Sequence, residues 1–240
     1  MQNLRLFDYQ IAICDKTSAL NWALTALKSP TPQLLVTLNP EILLRAQQDA
    51  RLDAALKAAD LMVADGIGIL WAAKLLAKPL PERVPGVELL FDLLARGSEV
   101  KAFFLGAKPG VAEKAAIIAQ ERYACRVVGH HHGYFKRPED NAKIAELIRQ
   151  SGANLLVAAL GEGQEIFLHE NRAALQIPLM IGVGGSLDVL SGEVTRSPIW
   201  SQKLRLEWAY RILSDPKRWY RLPRLARFVM LVLKRYRAKA

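Results

Sequence analysis

Residues 60–71, Asp-Leu-Met-Val-Ala-Asp-Gly-Ile-Gly-Ile-Leu-Trp, constrain the architecture more than any other stretch. Leu61 to Ala64 form a short apolar run, and Asp65-Gly66 breaks it. An apolar pattern with helical spacing then resumes at Ile69, Trp71, Ala72, Leu75 and Leu76. An apolar run, a sharp turn and a returning helix are the parts of a buried parallel strand and its crossover. In open sheets built from such units, ligands sit just outside the carboxyl ends of the strands. Asp65 stands at that edge, and Gly66 beside it lets a ligand approach the backbone. A carboxylate there can act as a general base or cap the following helix, and this stretch alone leaves both roles open.

The same grammar recurs. Strand-like runs lie at 34–37, 100–105, 126–129, 153–160 and 178–182, each followed by turn residues and a helical pattern, which after 126–129 comes beyond the histidine loop as a polar-faced helix over 138–151. Residues 4–27 read as a short strand and then a helix. Five or six strand–helix repeats predict an α/β fold, a mostly parallel sheet covered on both faces. Several chemistry-bearing residues fall at strand ends. Asn39-Pro40 reads as an N-cap and first helical residue, opening a helix to about Ala59. Gly106 to Gly110 is a glycine-bearing turn before a helix near Val111, a ready anion site, although no dinucleotide fingerprint fits it. Gln164 and Glu165 follow the most apolar strand. Gly182, Gly184 and Gly185 lie in a loop open to ligand contact, and Asp188 either binds a base or ribose or caps the short helix 187–191. Arg83 is held between prolines and reads alone as a solvated arginine paired with Glu82 or Glu88. His130, His131 and His132 read as a polar loop rather than a metal cluster, since neighbours point different ways.

Charge divides the chain. Of 33 Lys and Arg, 13 lie in residues 196–240, against two of the 23 acids, Glu207 and Asp215. Residues 1–195 are nearly neutral, so the boundary of a catalytic domain (1–195) and a helical appendage (196–240) falls at the Gly192–Pro198 stretch. A basic tail of this kind meets a polyanion. The apolar run Phe228–Leu233, with Leu225, Phe228, Val229 and Val232 on one side and arginines flanking, favours an anionic membrane surface over nucleic acid. It is too short to span a bilayer. A homo-oligomer that masks this tail in solution is a further expectation. No signal peptide is evident. Cys14 and Cys125 match no metal or redox spacing, which points to a cytoplasmic protein and thiols without chemistry.

Taken together, Thr37-Leu-Asn-Pro-Glu41, Ala64-Asp-Gly-Ile-Gly68, Pro81-Glu-Arg-Val-Pro-Gly86 and Phe104-Leu-Gly-Ala-Lys-Pro-Gly-Val-Ala-Glu113 resemble the bacterial WecG/TagA/CpsF family of glycosyltransferases. His132-Gly-Tyr-Phe135, Leu160 to Glu165, Gly182 to Asp188, Leu206-Glu-Trp-Ala-Tyr-Arg211 and Asp215-Pro-Lys-Arg218 extend the resemblance in register over about residues 30–222. It implies a Rossmann-like core with a membrane-associating C-terminal appendage. It also implies inverting transfer of a sugar, often N-acetylmannosamine or its uronic acid, from a UDP donor to a polyprenyl-diphosphate-linked sugar. That places the protein peripherally on the cytoplasmic face of the plasma membrane, in cell-surface polysaccharide synthesis.

The resemblance assigns the base to Asp65, with Arg83 also needed and Thr37, Asn39 and Gln164 lining the pocket. Gly182 to Asp188 then hold the uridine, the Gly106–Gly110 turn lies near the nucleotide, and Gly66 and Glu165 belong to the substrate site. Arg211, Arg218 and Arg221 match arginines that fold over the site. The chain contains no Asp-x-Asp motif, so no metal cofactor is expected and cations must meet the charge of the departing UDP. Three departures stand out. Leu160 to Glu165 is one residue shorter than the family pattern and lacks its proline, Met1 to Ile13 lacks the usual opening, and Pro223 to Ala240 is longer and more apolar. The rivals are a glucosyl or glucuronosyl donor, and a non-catalytic nucleotide- or RNA-binding module at the membrane. A dinucleotide oxidoreductase lacks its glycine fingerprint.

Overall fold

In a computed structural model, the described residues are 1–240 except 77, 136–137, 199, 202–206, 216–218, 220 and 239–240, and the side chains of 138, 139, 208, 211 and 221 are also set aside. The chain opens with an antiparallel hairpin of β1 (Asn3–Leu6) and β2 (Tyr9–Ala12). Leu4, Leu6, Tyr9 and Ile11 point inward from it. Helix α1 (Lys16–Ala26) follows, capped by Asp15, whose carboxylate accepts the Ser18 N–H at 2.7 Å.

The core units are β3 (Gln33–Leu38), α2 (Pro40–Ala46), α3 (Ala50–Lys57), β4 (Leu61–Ala64), α4 (Ile67–Leu76) and α5 (Gly86–Leu94). Next come β5 (Lys101–Gly106), α6 (Val111–Tyr123), β6 (Arg126–His131) and α7 (Pro138–Gln150). The core ends with β7 (Leu155–Ala159), α8 (Gln164–Glu170), α9 (Arg172–Leu175), β8 (Leu179–Gly182) and α10 (Ser186–Leu190). Six strands form one all-parallel sheet in the order β4-β3-β8-β7-β5-β6. The predicted α/β class and parallel sheet are therefore present.

Side-chain alternation builds two cores from one sheet. Leu34, Val36, Leu38, Met62, Leu156, Ala158 and Met180 face α2, α3, α4, α7 and α8. Leu35, Val63, Phe104, Leu155, Val157 and Ile181 face α1, α5, α6 and α10. At the far end of the sheet, Asp60 accepts the Leu34 N–H and pairs with Arg172, both at 2.7 Å, which pins β3 to the start of β4.

Three expectations need correction. The opening is a hairpin rather than a single strand, turning through Phe7-Asp8 with Phe7 at φ 54°. The helix expected over 40–59 is two helices, because the Asp49 carboxylate accepts the Arg51 and Leu52 N–H groups and starts a new N-terminus. The last helix runs Arg221–Arg237, with Pro223 inside its first turn, where no intrahelical N–H partner is needed. Phe228 and Val232, expected on a lipid-facing side, are fully buried against α2 and α4 and belong to the core. Leu222, Val229, Met230 and Leu233 remain exposed. Among the described residues no helix is long and apolar enough to cross a membrane.

Candidate active site

All the strand ends named from the sequence converge on one edge of the sheet. The helices leaving β3 and β8 go to opposite faces, α2 to one core and α10 to the other, so a crevice opens between their carboxyl ends. Asp65 lies one strand beyond β3 on one side of it, and Gln164 one strand beyond β8 on the other. With strands about 4.8 Å apart, Asp65 and the Gly182–Asp188 loop stand roughly 10 Å from each other.

Asp65 continues β4, its N–H donating to Leu38 O at 2.8 Å. The proline loop folds back beside it. Val84 N–H donates to Ala64 O at 2.7 Å, and Gly86 N–H, at the start of α5, approaches Asp65 Oδ2 at 3.4 Å. Thr37 is buried on the same face of neighbouring β3. Asn39 caps α2, its Oδ1 accepting the Glu41 and Ile42 N–H groups at 3.0 Å each. Its amide NH2 is the end that can meet a ligand.

Across the crevice, Gln164 is locked from two sides. Its Oε1 accepts the Gly184 N–H at 2.9 Å, and its Nε2 donates to the buried Glu165 carboxylate at 2.7 Å. The Gln164 amide passes over Gly182 so closely that a Cβ there would lie 2.7 Å from Nε2. Burial pushes the Glu165 carboxyl above the usual range, and the Gln164 bond only partly offsets it. Asp188 lies in α10, near the Gly185 turn, and its carbonyl accepts the Val194 N–H at 3.0 Å. Gly106 has a structural reason to be glycine, since it sits at φ 133° and a Cβ would fall 2.3 Å from Ala159 O. Gly110, at φ 85°, forms the open N-cap of α6. This turn is four strands from β4 and belongs to the far end of the edge. The histidines end β6, the outermost strand, where His131 Nδ1 lies 2.7 Å from His132 O.

Arg83 is not solvated. Its guanidinium lies 3.8 Å from Glu88 and 3.8 Å from Glu207, so Glu88 is one partner and an appendage residue is the other. Glu82 instead accepts the Lys16 N–H at 2.5 Å. Arg196 donates to Glu88 at 2.6 Å. Burial opposes the Glu88 charge, but that bond and the nearby Arg196, Lys16 and Arg83 charges outweigh it and hold its carboxyl below the usual range. At the other lip, Glu162 contacts Arg45 and receives a 3.1 Å bond from Arg224 of the C-terminal helix. Glu207, Arg196 and Glu162 were missed as site neighbours. The hints were that Glu207 lies inside the Leu206–Arg211 motif and Glu162 inside Leu160–Glu165. Arg218 falls outside the described residues, as do the side chains of Arg211 and Arg221.

Cys14 and Cys125 are buried, and burial pushes the Cys14 thiol up to about 11, which fits packing without chemistry.

The family model described as "Glycosyl transferase WecG/TagA/CpsF family" matches residues 4–240. The match extends through both ends that the sequence reading set apart as departures. The chain is also similar to an N-acetylglucosaminyldiphosphoundecaprenol N-acetyl-beta-D-mannosaminyltransferase from Bacillus spizizenii. The two are 38% identical over 210 residues, covering 86% of this chain and 80% of that protein.

Proposed function

The chain belongs to the WecG/TagA/CpsF family of glycosyl transferases, and from that premise we propose that it transfers N-acetylmannosamine, or its uronic acid, from a UDP-sugar to a polyprenyl-diphosphate-linked sugar. The observation that carries this reading is the 38% identity, over most of both chains, to a relative named for that sugar and for an undecaprenyl-diphosphate acceptor. The position of Asp65 supports it chemically. A carboxylate at the crevice accepts the proton of the acceptor hydroxyl as that oxygen bonds to the anomeric carbon. The bond from that carbon to UDP breaks on the opposite face, so configuration inverts. UDP leaves with the electron pair, and cations must meet its charge. Arg83 takes that role, with Arg211, Arg218 and Arg221 added from the appendage, and no metal is required. Thr37, Asn39 and Gln164 line the sugar pocket, and the loop from Gly182 to Asp188 receives the uridine.

The exposed Leu222, Val229, Met230 and Leu233 beside Arg224, Arg227 and Lys234 suit peripheral binding to an anionic bilayer, on the leaflet where UDP-sugars are available. Release of UDP, followed with a panel of UDP-sugars and a short polyprenyl-diphosphate acceptor, tests the reading. Turnover with the mannosaminyl donor, unchanged by a chelator and lowered by about a hundredfold or more in Asp65→Asn, is the expected result. Turnover confined to glucosyl or glucuronosyl donors would reassign the sugar. Absence of turnover with every donor, with salt-sensitive RNA binding instead, would refute the enzyme reading.

A further inference from the structure

Four charged side chains meet where the proline loop, α5 and the appendage converge. Arg83 lies 3.8 Å from Glu88 and 3.8 Å from Glu207. Arg196 contacts the same two carboxylates, at 2.6 Å to Glu88 and 3.7 Å to Glu207. All four are largely shielded, with side-chain exposures of 16% for Arg83, 21% for Arg196, 26% for Glu88 and 10% for Glu207. A shielded guanidinium needs counter-charge to hold it in one place.

We propose that Glu207 is a positioning residue for sugar transfer, reaching from the appendage to hold Arg83 in the loop beside Asp65. The inference rests on the reading of Asp65 and Arg83 given above. Backbone geometry supplies the proximity. The residue after Arg83 pairs with Ala64 at 2.7 Å, and Gly86 approaches the Asp65 carboxylate. Glu88 is a shared partner, since it takes the short Arg196 bond and lies 3.5 Å from Lys16. Glu207, which Arg196 also approaches at 3.7 Å, is the second acid that fixes the Arg83 fork.

The length of the two Arg83 contacts also matters. At 3.8 Å neither is a hydrogen bond. The carboxylates steer the guanidinium without consuming its donors, which remain for a departing diphosphate that can take two parallel N–H bonds. Arg196 absorbs the short bond instead. Because Glu207 is in the appendage and Arg83 is in the core, seating of the appendage and placement of Arg83 become a single event.

The test compares the full-length wild type with Glu207→Gln, Glu207→Asp, Arg83→Ala and the double variant Arg83→Ala/Glu207→Gln, using UDP release with a lipid-linked acceptor. Melting curves accompany each variant. The expected result for Glu207→Gln is a kcat at least tenfold lower with the donor KM within about twofold, because placement in the transition state is lost rather than donor binding. Glu207→Asp recovers part of the loss, and the double variant is no slower than Arg83→Ala. A Glu207→Gln enzyme that turns over as fast as wild type, or faster, overturns the inference; the faster result would mean that Glu207 restrains Arg83. Multiplying defects in the double variant overturn it too. If Glu207→Gln melts early, Glu207→Asp against Arg83→Ala decides, and a correctly folded Glu207→Asp with wild-type kcat counts against the proposal. A wild type inert with all donors overturns the site reading and the inference together, whereas an active wild type with a silent Glu207→Gln overturns only the inference.

Discussion

Phe228→Ala should release the C-terminal helix while leaving the sheet folded. Phe228 and Val232 are its fully buried side chains, packed between α2 and α4. Truncating a buried Phe costs about 3–5 kcal/mol. What then holds the helix is Val232, worth about 1.5–3 kcal/mol, the half-buried Leu231, the Arg235 guanidinium 5.6 Å over the Phe7 ring, worth about 0.5–1 kcal/mol, and the Arg224–Glu162 contact. Those two side chains are 38% and 64% exposed, so solvent screening leaves the pair at most ~1 kcal/mol. The loss is of the same order as the remainder, and a segment in that position opens locally. Since 1.4 kcal/mol is a factor of ten, amide protection across 221–237 should fall by about a hundredfold or more. Hydrogen exchange read by mass spectrometry measures this, with peptides from β3, β7 and β8 as the internal control. Wild-type protection over 221–237, or simultaneous loss in β7 and β8, would refute the reasoning.

Gly106→Ala should cost more than ~3 kcal/mol, because the new Cβ meets the Ala159 backbone in a conformation that L side chains avoid, and soluble yield is the readout. Glu165→Gln should gain stability over wild type as pH rises. The native carboxyl of Glu165 is raised by burial, so the folded state holds a proton that the unfolded chain releases above the usual carboxylate range. That penalty is absent at low pH and grows as pH climbs through the raised value, so melting temperatures of the two proteins should diverge upward from about pH 5. Changing the outward Val229, Met230 and Leu233 to Asp should abolish flotation with anionic vesicles without lowering the melting point, since all three are exposed. Retained flotation would remove that face from the membrane contact.

The six parallel strands were legible because each apolar run ends at a glycine, asparagine or aspartate and a 3.6-residue pattern usually follows. Their order was not legible, because periodicity marks a strand without naming its neighbour. Asp65, Thr37, Gln164 and Gly184 meet only through the pairings of β4, β3, β8 and β7. The break at Asp49 was hidden because Leu44, Leu52 and Ala55 keep helical spacing across it. The hairpin was readable in principle from alternating Leu4, Leu6, Tyr9 and Ile11. The last helix misled for a different reason. It carries two apolar sides, and a sequence cannot say which one meets protein, so Phe228 and Val232 were read as facing lipid. The Arg83–Glu207 pair, 124 positions apart in the sequence, leaves no local trace at all.

The place of β8 has a mechanical consequence. It is the four-residue strand that joins β3–β4 to β5–β6–β7, pairing with Gln33 to Leu35 on one side and Leu155 to Ala158 on the other. The sheet is thus two half-sheets stitched along one seam, and the glycine loop at the end of that seam is the floor of the crevice. Whatever molecule grips this loop also grips the stitch. Occupancy of the crevice therefore acts as a rivet, and force or denaturant that parts the empty protein at β8 must first evict the occupant.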